Sequence, residues 1–255
     1  MRILLTNDDG YRALGINTLY QALIKAGHEV IIVAPERNSS GAGQSITVYM
    51  PISITCVSEN IYFVSSTPAD GIRLGLQYVY ETPENYPDMI ISGINMGENI
   101  ADDIFYSGTV GAAREGLLHG IRSLAISTPG PEFNNLDSAA KIVVDLLDRI
   151  SYYEKQCKID GPFIWNINIP NKPYEEISGF EATKLGAKPL HKPLEKQITP
   201  RGNVVYWQGE SSDLNNAEIG TDVDVFLRQE KVSITPLLML PTDYLQMPLI
   251  SALTI

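Results

Sequence analysis

The chain has 255 residues, 44% hydrophobic and 19% charged, a balance that suits a folded globular protein with a substantial core rather than a disordered one. Its formal net charge of −11 opposes binding to a nucleic acid polymer, which asks for a basic face. No apolar run approaches the roughly 18 residues that cross a bilayer, and one Arg with three apolar residues before a polar turn is too little for a signal peptide, so a cytoplasmic protein without a membrane partner is expected.

Taken in chain order, "RILLT" (2–6) reads as a buried strand that runs straight into Asn7-Asp8-Asp9-Gly10. "GINTLYQALIKAG" (15–27) puts Ile16, Leu19, Leu23 and Ile24 at helical spacing, with Gly27 as the stop. "HEVIIVAP" (28–35) is a β-branched run closed by Pro35, typical of a strand covered on both faces. Together these three predict a βαβ unit with the usual right-handed crossover. "PDMIISGIN" (87–95) follows as a buried strand, "GTVGAAREGLLHG" (108–120) as a small-residue helix and "RSLAIS" (122–127) as another strand. "DSAAKIVVDLLDRI" (137–150) gathers Ala139, Ile142, Val143, Leu146, Leu147 and Ile150 on one side of an amphipathic helix.

Past about residue 155 the pattern turns to strand-like pieces, "PFIWNINIP", "NVVYWQG" and "KVSITPL", bounded by Pro, Gly and Asn. Helical signals there are confined to "DVDVFLRQ" and "TDYLQMPLISAL". The fold expected is α/β: an open, mostly parallel sheet built largely from residues 1–150 and extended by a β-rich C-terminal part. Cys56 and Cys157 form no CxxC pair, so neither a zinc knuckle nor a disulfide framework is indicated, and two buried thiols are expected. The aromatics of "VVYWQ" are expected to pack.

In such sheets ligands bind beyond the carboxyl ends of the strands. Four strand exits here are polar: Asn7-Asp8-Asp9-Gly10, the "ERNSSGAG" run with Ser39, Ser40, Gly41 and Gly43, Ser92-Gly93-Ile94-Asn95 continuing to Asn99, and "DDIFYSGT" with Asp102, Asp103, Ser107, Gly108 and Thr109. Two carboxylates with neutral oxygen donors suit a hard divalent cation such as Mg²⁺, Mn²⁺ or Ca²⁺. Adjacent side chains on a strand point to opposite faces, so Asp8 and Asp9 can share an ion only in the turn that Gly10 permits. A plain Asp-Gly turn is the competing explanation. Ser107-Gly108-Thr109 before a helix can cradle phosphate or serve as an ordinary N-cap. His28, His119 and His191 lie away from the exits of the first-half strands. GxSxG, Walker and GxGxxG motifs are absent, against hydrolase triads, NTPases and dinucleotide binders.

The stretches "MRILLTNDDG", "VAPERNSSGAG", "SGINMGEN", "DDIFYSGTVGAA", "RGNVVYW" and "VSITPL" resemble, in order, those of the SurE family of metal-dependent nucleoside monophosphate phosphatases. The resemblance runs from residue 1 to about 237 and implies a Rossmann-like core completed by later strands, one domain over 1–255, and a C-terminal extension used in homodimers or homotetramers. It puts one divalent cation per subunit, Mg²⁺ or Mn²⁺, on Asp8, Asp9, Ser40 and Asn95, with Asp8 and Asp9 catalytic and Asn99, Ser107, Gly108 and Thr109 binding substrate. Ser40 takes that place because it directly precedes the loop glycine; Ser39 and "FLRQEK" depart from the family pattern. The implied activity is hydrolysis of nucleoside 5′-monophosphates, extending to 3′-monophosphates and short polyphosphate. A receiver-like module and a nucleotide-binding regulator without catalysis are the alternatives, the former lacking a phospho-accepting Asp where "SGIN" supplies Asn.

Overall fold

The computed structural model describes residues 1–130, 134–156, 161–187, 194–207, 217–239 and 247–248. β1 (Arg2–Thr6), α1 (Leu14–Lys25) and β2 (Glu29–Pro35) form the expected unit, with β1 and β2 parallel and Arg2 opposite Glu29. α1 buries Ile16, Leu19 and Leu23, whereas Ile24 is 42% exposed. Ile24 sits eight positions past Ile16, about 80° round the helix, which carries it off the buried stripe. Gly27 takes φ +84° just past the helix end, a conformation its missing Cβ allows.

The stretch 44–86, to which the sequence analysis assigns no element, supplies β3 (Ile54–Ser58), β4 (Ile61–Val64) and α2 (Pro68–Leu74). Thr67 caps α2 by accepting the Asp70 N–H at 3.2 Å, and Pro68 opens the helix. β3 is the sheet edge, mostly exposed, and Cys56 on it is exposed, so the expectation of two buried thiols fails at this residue. Cys157, His191 and most of "TDYLQMPLISAL" lie outside the described residues.

The chain continues through β5 (Met89–Met96), α3 (Gly108–Leu118), β6 (Arg122–Thr128), α4 (Leu136–Lys155), β7 (Ile164–Asn168), β8 (Phe180–Ala182), β9 (Glu195–Ile198), β10 (Val204–Trp207) and β11 (Val232–Pro236). Among the described residues nine strands make one sheet in the order β3-β4-β2-β1-β5-β6-β7-β11-β8. From β4 to β7 all neighbours are parallel; β11 runs against β7, and β8 runs with β11. The mostly parallel α/β sheet completed by later strands is therefore present as expected. β9 and β10 form a separate hairpin on which Tyr206 and Trp207 are each 61% exposed rather than packed. "DVDVFLRQ" forms a short π-type turn over Asp224–Arg228.

α1 and α4 cover one face over Ile3, Leu5, Ile32, Ile91, Leu124, Ile126 and Ile167. All six α4 residues expected on its apolar side are buried. α2 and the start of α3 cover Leu4, Val33, Val64 and Ile90 on the other face. Further across that second face, toward the strand ends, Ser127, Asn166, Asn168, Ser233 and Thr235 are buried side by side, with Asn168 in register between Ser127 and Ser233. The segment from Asn99 through a short 3₁₀ turn at Ala101–Phe105 lies over them in place of a regular α-helix.

Candidate active site

The parallel strands deliver their carboxyl ends to one edge, and the polar clusters meet there. Past β1 the Asn7 side chain closes a turn: its Nδ2 donates to the Gly10 carbonyl at 3.0 Å and its Oδ1 accepts the Gly10 N–H at 3.1 Å. Gly10 has φ +103°, so the chain leaves the extended conformation that would separate Asp8 from Asp9. The loop after β2 docks on this turn, the Ser39 N–H donating to the Asp8 carbonyl at 2.7 Å and Asn38 Nδ2 donating to Asp9 Oδ1 at 3.2 Å. Asn38 Oδ1 also accepts the Ser40 N–H at 2.8 Å, which places Ser40 beside the acidic pair.

α3 approaches from the other side. Asp8 is buried and its Oδ1 accepts the Thr109 hydroxyl at 2.5 Å, while the Gly108 and Thr109 amides at the helix start favour the charged form of its carboxylate. A Cβ on Gly108 would stand 2.8 Å from Asp8 Cβ and Oδ2, so only glycine admits this contact. Ser107 is the N-cap of α3, its Oγ accepting the Val110 N–H at 3.1 Å. The capping role thus holds for Ser107, and its own hydroxyl proton is left to donate.

β5 contributes Asn95 through an irregularity. Its pairing with β6 shifts register between Ser92 and Asn95, and Gly93 there has φ +140°, where an added Cβ would stand 2.3 Å from the Ile126 carbonyl oxygen. Asn95 Nδ2 donates to the Gly97 carbonyl at 2.6 Å, so Oδ1 is the end that Asn95 can offer a ligand. The Met96 N–H reaches Asp9 Oδ2 at 3.4 Å. A cavity of about 640 Å³ opens between these elements, lined among others by Asp8, Ser40, Asn95, Asn99, Asp103, Tyr106 and Ser107. A larger groove of about 790 Å³ between α1 and α4 contains none of the strand-exit residues.

Burial holds the Asp8 carboxyl above its ordinary value, against the pull of the Thr109 hydroxyl and the α3 amides. Burial raises Asp9 too, and the Asp8 charge adds to it. Among the described residues no Lys or Arg forms an ion pair with either, and no cluster of three His, Cys, Asp or Glu is present. Two adjacent carboxyls raised together, with the neutral oxygens of Ser40 and Asn95 at hand, fit a hard divalent cation. His28 lies beside the amino terminus and His119 beside Glu115, neither lining the cavity.

Asn99 lies at the cavity with its backbone held by Asn166 and Asn168 and its Nδ2 donating to Ser127 Oγ at 2.8 Å. Asp222 accepts the Ala101, Gly186 and Val223 amides at 2.9, 2.7 and 2.9 Å and so ties the same loop to the C-terminal half. Sequence reasoning missed these supports. Asn at alternate positions in "IWNINIP" was the available signal, since a strand with that spacing turns both carboxamides to one face.

Architecture and site together define a doubly wound α/β protein whose ligand cavity lies beyond the carboxyl ends of the strands. A sequence model described as Survival protein SurE matches residues 3–192. The chain belongs to the SurE family. It is 42% identical over 246 residues to a protein from Methylobacillus flagellatus named 5′-nucleotidase SurE, covering 96% of each chain. It is 43% identical to the protein of the same name from Nitrosomonas eutropha, covering 96% of this chain and 95% of the other. The crystal structure of the SurE protein from Aquifex aeolicus superimposes with a TM-score of 0.85 at 39% identity and full coverage of both chains.

Proposed function

We propose that this chain is a metal-dependent 5′-nucleotidase that hydrolyses nucleoside monophosphates to nucleoside and phosphate. The single observation that carries the reading is the Asp8 carboxylate seated on the N-terminus of α3 beside Asp9, both raised and unpaired by any described Lys or Arg. The relatives named 5′-nucleotidase along nearly the whole chain support it. One Mg²⁺ or Mn²⁺ per subunit would be held by Asp8, Asp9, Ser40 and Asn95. When bound, it supplies Lewis acidity to a phosphoryl oxygen and lowers the pKa of water.

The chain's own residues do the rest. The Ser107 hydroxyl lines the cavity and faces the anionic oxygens of the substrate, while Gly108 and Thr109, expected from sequence to bind substrate, act at the helix N-terminus by holding the Asp8 carboxylate. Asn99 and Ser107 bound the cavity and orient the phosphate. Asp8 is tied down by the Thr109 hydroxyl and two amides, which weakens it as a nucleophile, so water is the attacking group. Asp9, the more accessible carboxylate, takes the proton from that water. A rapid-quench assay with labelled substrate checks the route: an acid-stable phosphoenzyme overturns it.

Phosphate release from AMP, GMP, CMP and UMP, with EDTA and then with added Mg²⁺ or Mn²⁺, tests the function. Loss in EDTA and recovery with metal are expected, and turnover indifferent to EDTA overturns the metal-dependent reading. The same screen with 3′-monophosphates and short polyphosphate sets the range, which the proposal extends to both. We further propose that residues 1–255 act as one domain in the cytoplasm, with the C-terminal extension joining subunits into a homodimer or homotetramer. The exposed apolar side chains of the β9–β10 hairpin, Ile198, Val204, Tyr206 and Trp207, support that.

A further inference from the structure

The loop from Gly97 to Ser107 crosses the polar part of the sheet with only one 3₁₀ turn, so an apolar helical stripe does not hold it. Asn99 is held instead by side chains rising from β7. Its N–H donates to Asn168 Oδ1 at 2.8 Å, and its carbonyl accepts Asn168 Nδ2 at 3.0 Å. One carboxamide thus satisfies both polar groups of one residue, as a neighbouring strand would, and does so from a fully buried position. Asn166 Nδ2 donates to the same carbonyl at 2.7 Å. The Asn166 Oδ1 atom is buried with no hydrogen-bond partner among the described residues, a cost borne while its amide end serves Asn99.

We propose that Asn168 is a positioning residue of the nucleotidase, setting through the Asn99 backbone where the Asn99 side chain and the loop behind it meet the substrate phosphate. Asn166 supports the same carbonyl. The inference rests on the nucleotidase reading and deepens it. Two features separate positioning from mere folding. Two residues further on, Ala101 is tied to Asp222, and Ile100 and Ala101 pack on Val223 and Phe226, so loss of the Asn168 carboxamide loosens the Asn99 peptide, leaving its N–H without a partner, without releasing the loop. The oxygens suited to the metal come from the ends of β1, β2 and β5, and none of their hydrogen bonds involves Asn168.

The experiment compares the full-length protein with Asn168→Ala and the milder Asn166→Ala. Steady-state kinetics on AMP, inhibition by inorganic phosphate, Mn²⁺ titration and hydrogen exchange over residues 97–101 are measured on all three. For Asn168→Ala, KM for AMP and the inhibition constant of phosphate are expected to rise together by about tenfold, the size of one lost hydrogen bond. Half-saturation by Mn²⁺ should stay put while exchange at the Asn99 amide speeds up. Asn166→Ala should shift the same two constants by less.

Unchanged exchange removes the clamp. Faster exchange with unchanged phosphate inhibition reduces it to a structural contact and overturns the positioning role. Parallel weakening of Mn²⁺ and phosphate overturns it as well, since the whole site would then have collapsed. If the unsubstituted protein releases no phosphate from AMP with any metal, the nucleotidase reading itself falls and takes the positioning role with it, whatever the exchange data show.

Discussion

Under α2 and α3 the sheet offers Leu4, Val33, Val64 and Ile90, while further across the same face it offers Ser127, Asn166, Asn168 and Ser233. The first group meets Ile72, Leu76 and Ala112 through contacts that have no preferred direction. In the second, Asn166 and Asn168 meet the Asn99 backbone and Ser127 its side chain through bonds that work only at the right angle and distance. Apolar burial decides that two layers touch; the carboxamides decide how one particular peptide lies. The backbone that lines the cavity is held in the second way.

Substitutions can break this contrast, beginning with the cavity itself. Asp8→Asn is expected to lower kcat/KM by about 10³-fold, because the group that faces both the α3 amides and the metal position loses its charge. The fold should survive, since an ionised carboxyl that burial disfavours is being replaced by a neutral amide; thermal unfolding in EDTA checks this. Activity near that of the parent removes Asp8 from the site.

Leu4→Ala probes the apolar region. A fully buried leucine truncated to alanine costs about 3–4 kcal/mol, and a fall in Tm of about 10 °C should follow, with KM unchanged in the folded protein. Asp222→Ala probes the polar region. Leaving the Ala101, Gly186 and Val223 amides without their acceptor should cost about 2 kcal/mol and raise KM, which the leucine substitution does not. Equal KM shifts in the two variants would erase the distinction between the regions.

The smallest effect is a pH dependence. Asp9 is raised by burial and then by the Asp8 charge, so its folded-state pKa lies above its unfolded one. Its ionised form therefore opposes folding at neutral pH, and the penalty fades as pH falls through the folded value. In EDTA, Asp9→Asn should be more stable than the parent at pH 7, and the gap should narrow on acidification toward the ordinary carboxyl range. A gap that widens on acidification contradicts the sign. Thermal melts over that range decide it.

Much of the framework was legible from residue patterns. The apolar runs ending at Thr6 and Pro35, the Ile16-Leu19-Leu23 stripe and the six-residue stripe of α4 follow from local pattern. The stretch holding β3, β4 and α2 was not, because its exposed edge strand and short helix carry little period of their own. Cys56 looked like a core residue by type and stands exposed because it lies on that edge. Ile24 shows a limit of periodicity itself: the i, i+8 spacing from Ile16 is helical, yet Ile24 stands about 80° round the helix from that residue and is exposed.

The amino-acid order alone determined that acidic and hydroxyl groups stand just beyond apolar strands, since strand length and turn residues are local properties. Which of those groups lie within reach of one another depended on strand order and on close approaches that only assembly creates. Gly108 admitting the Asp8 carboxylate and Asn168 reaching back 69 positions to Asn99 are two of them. Contacts of that kind join residues distant in the chain, and their directional hydrogen bonds form only once apolar burial has brought the layers together.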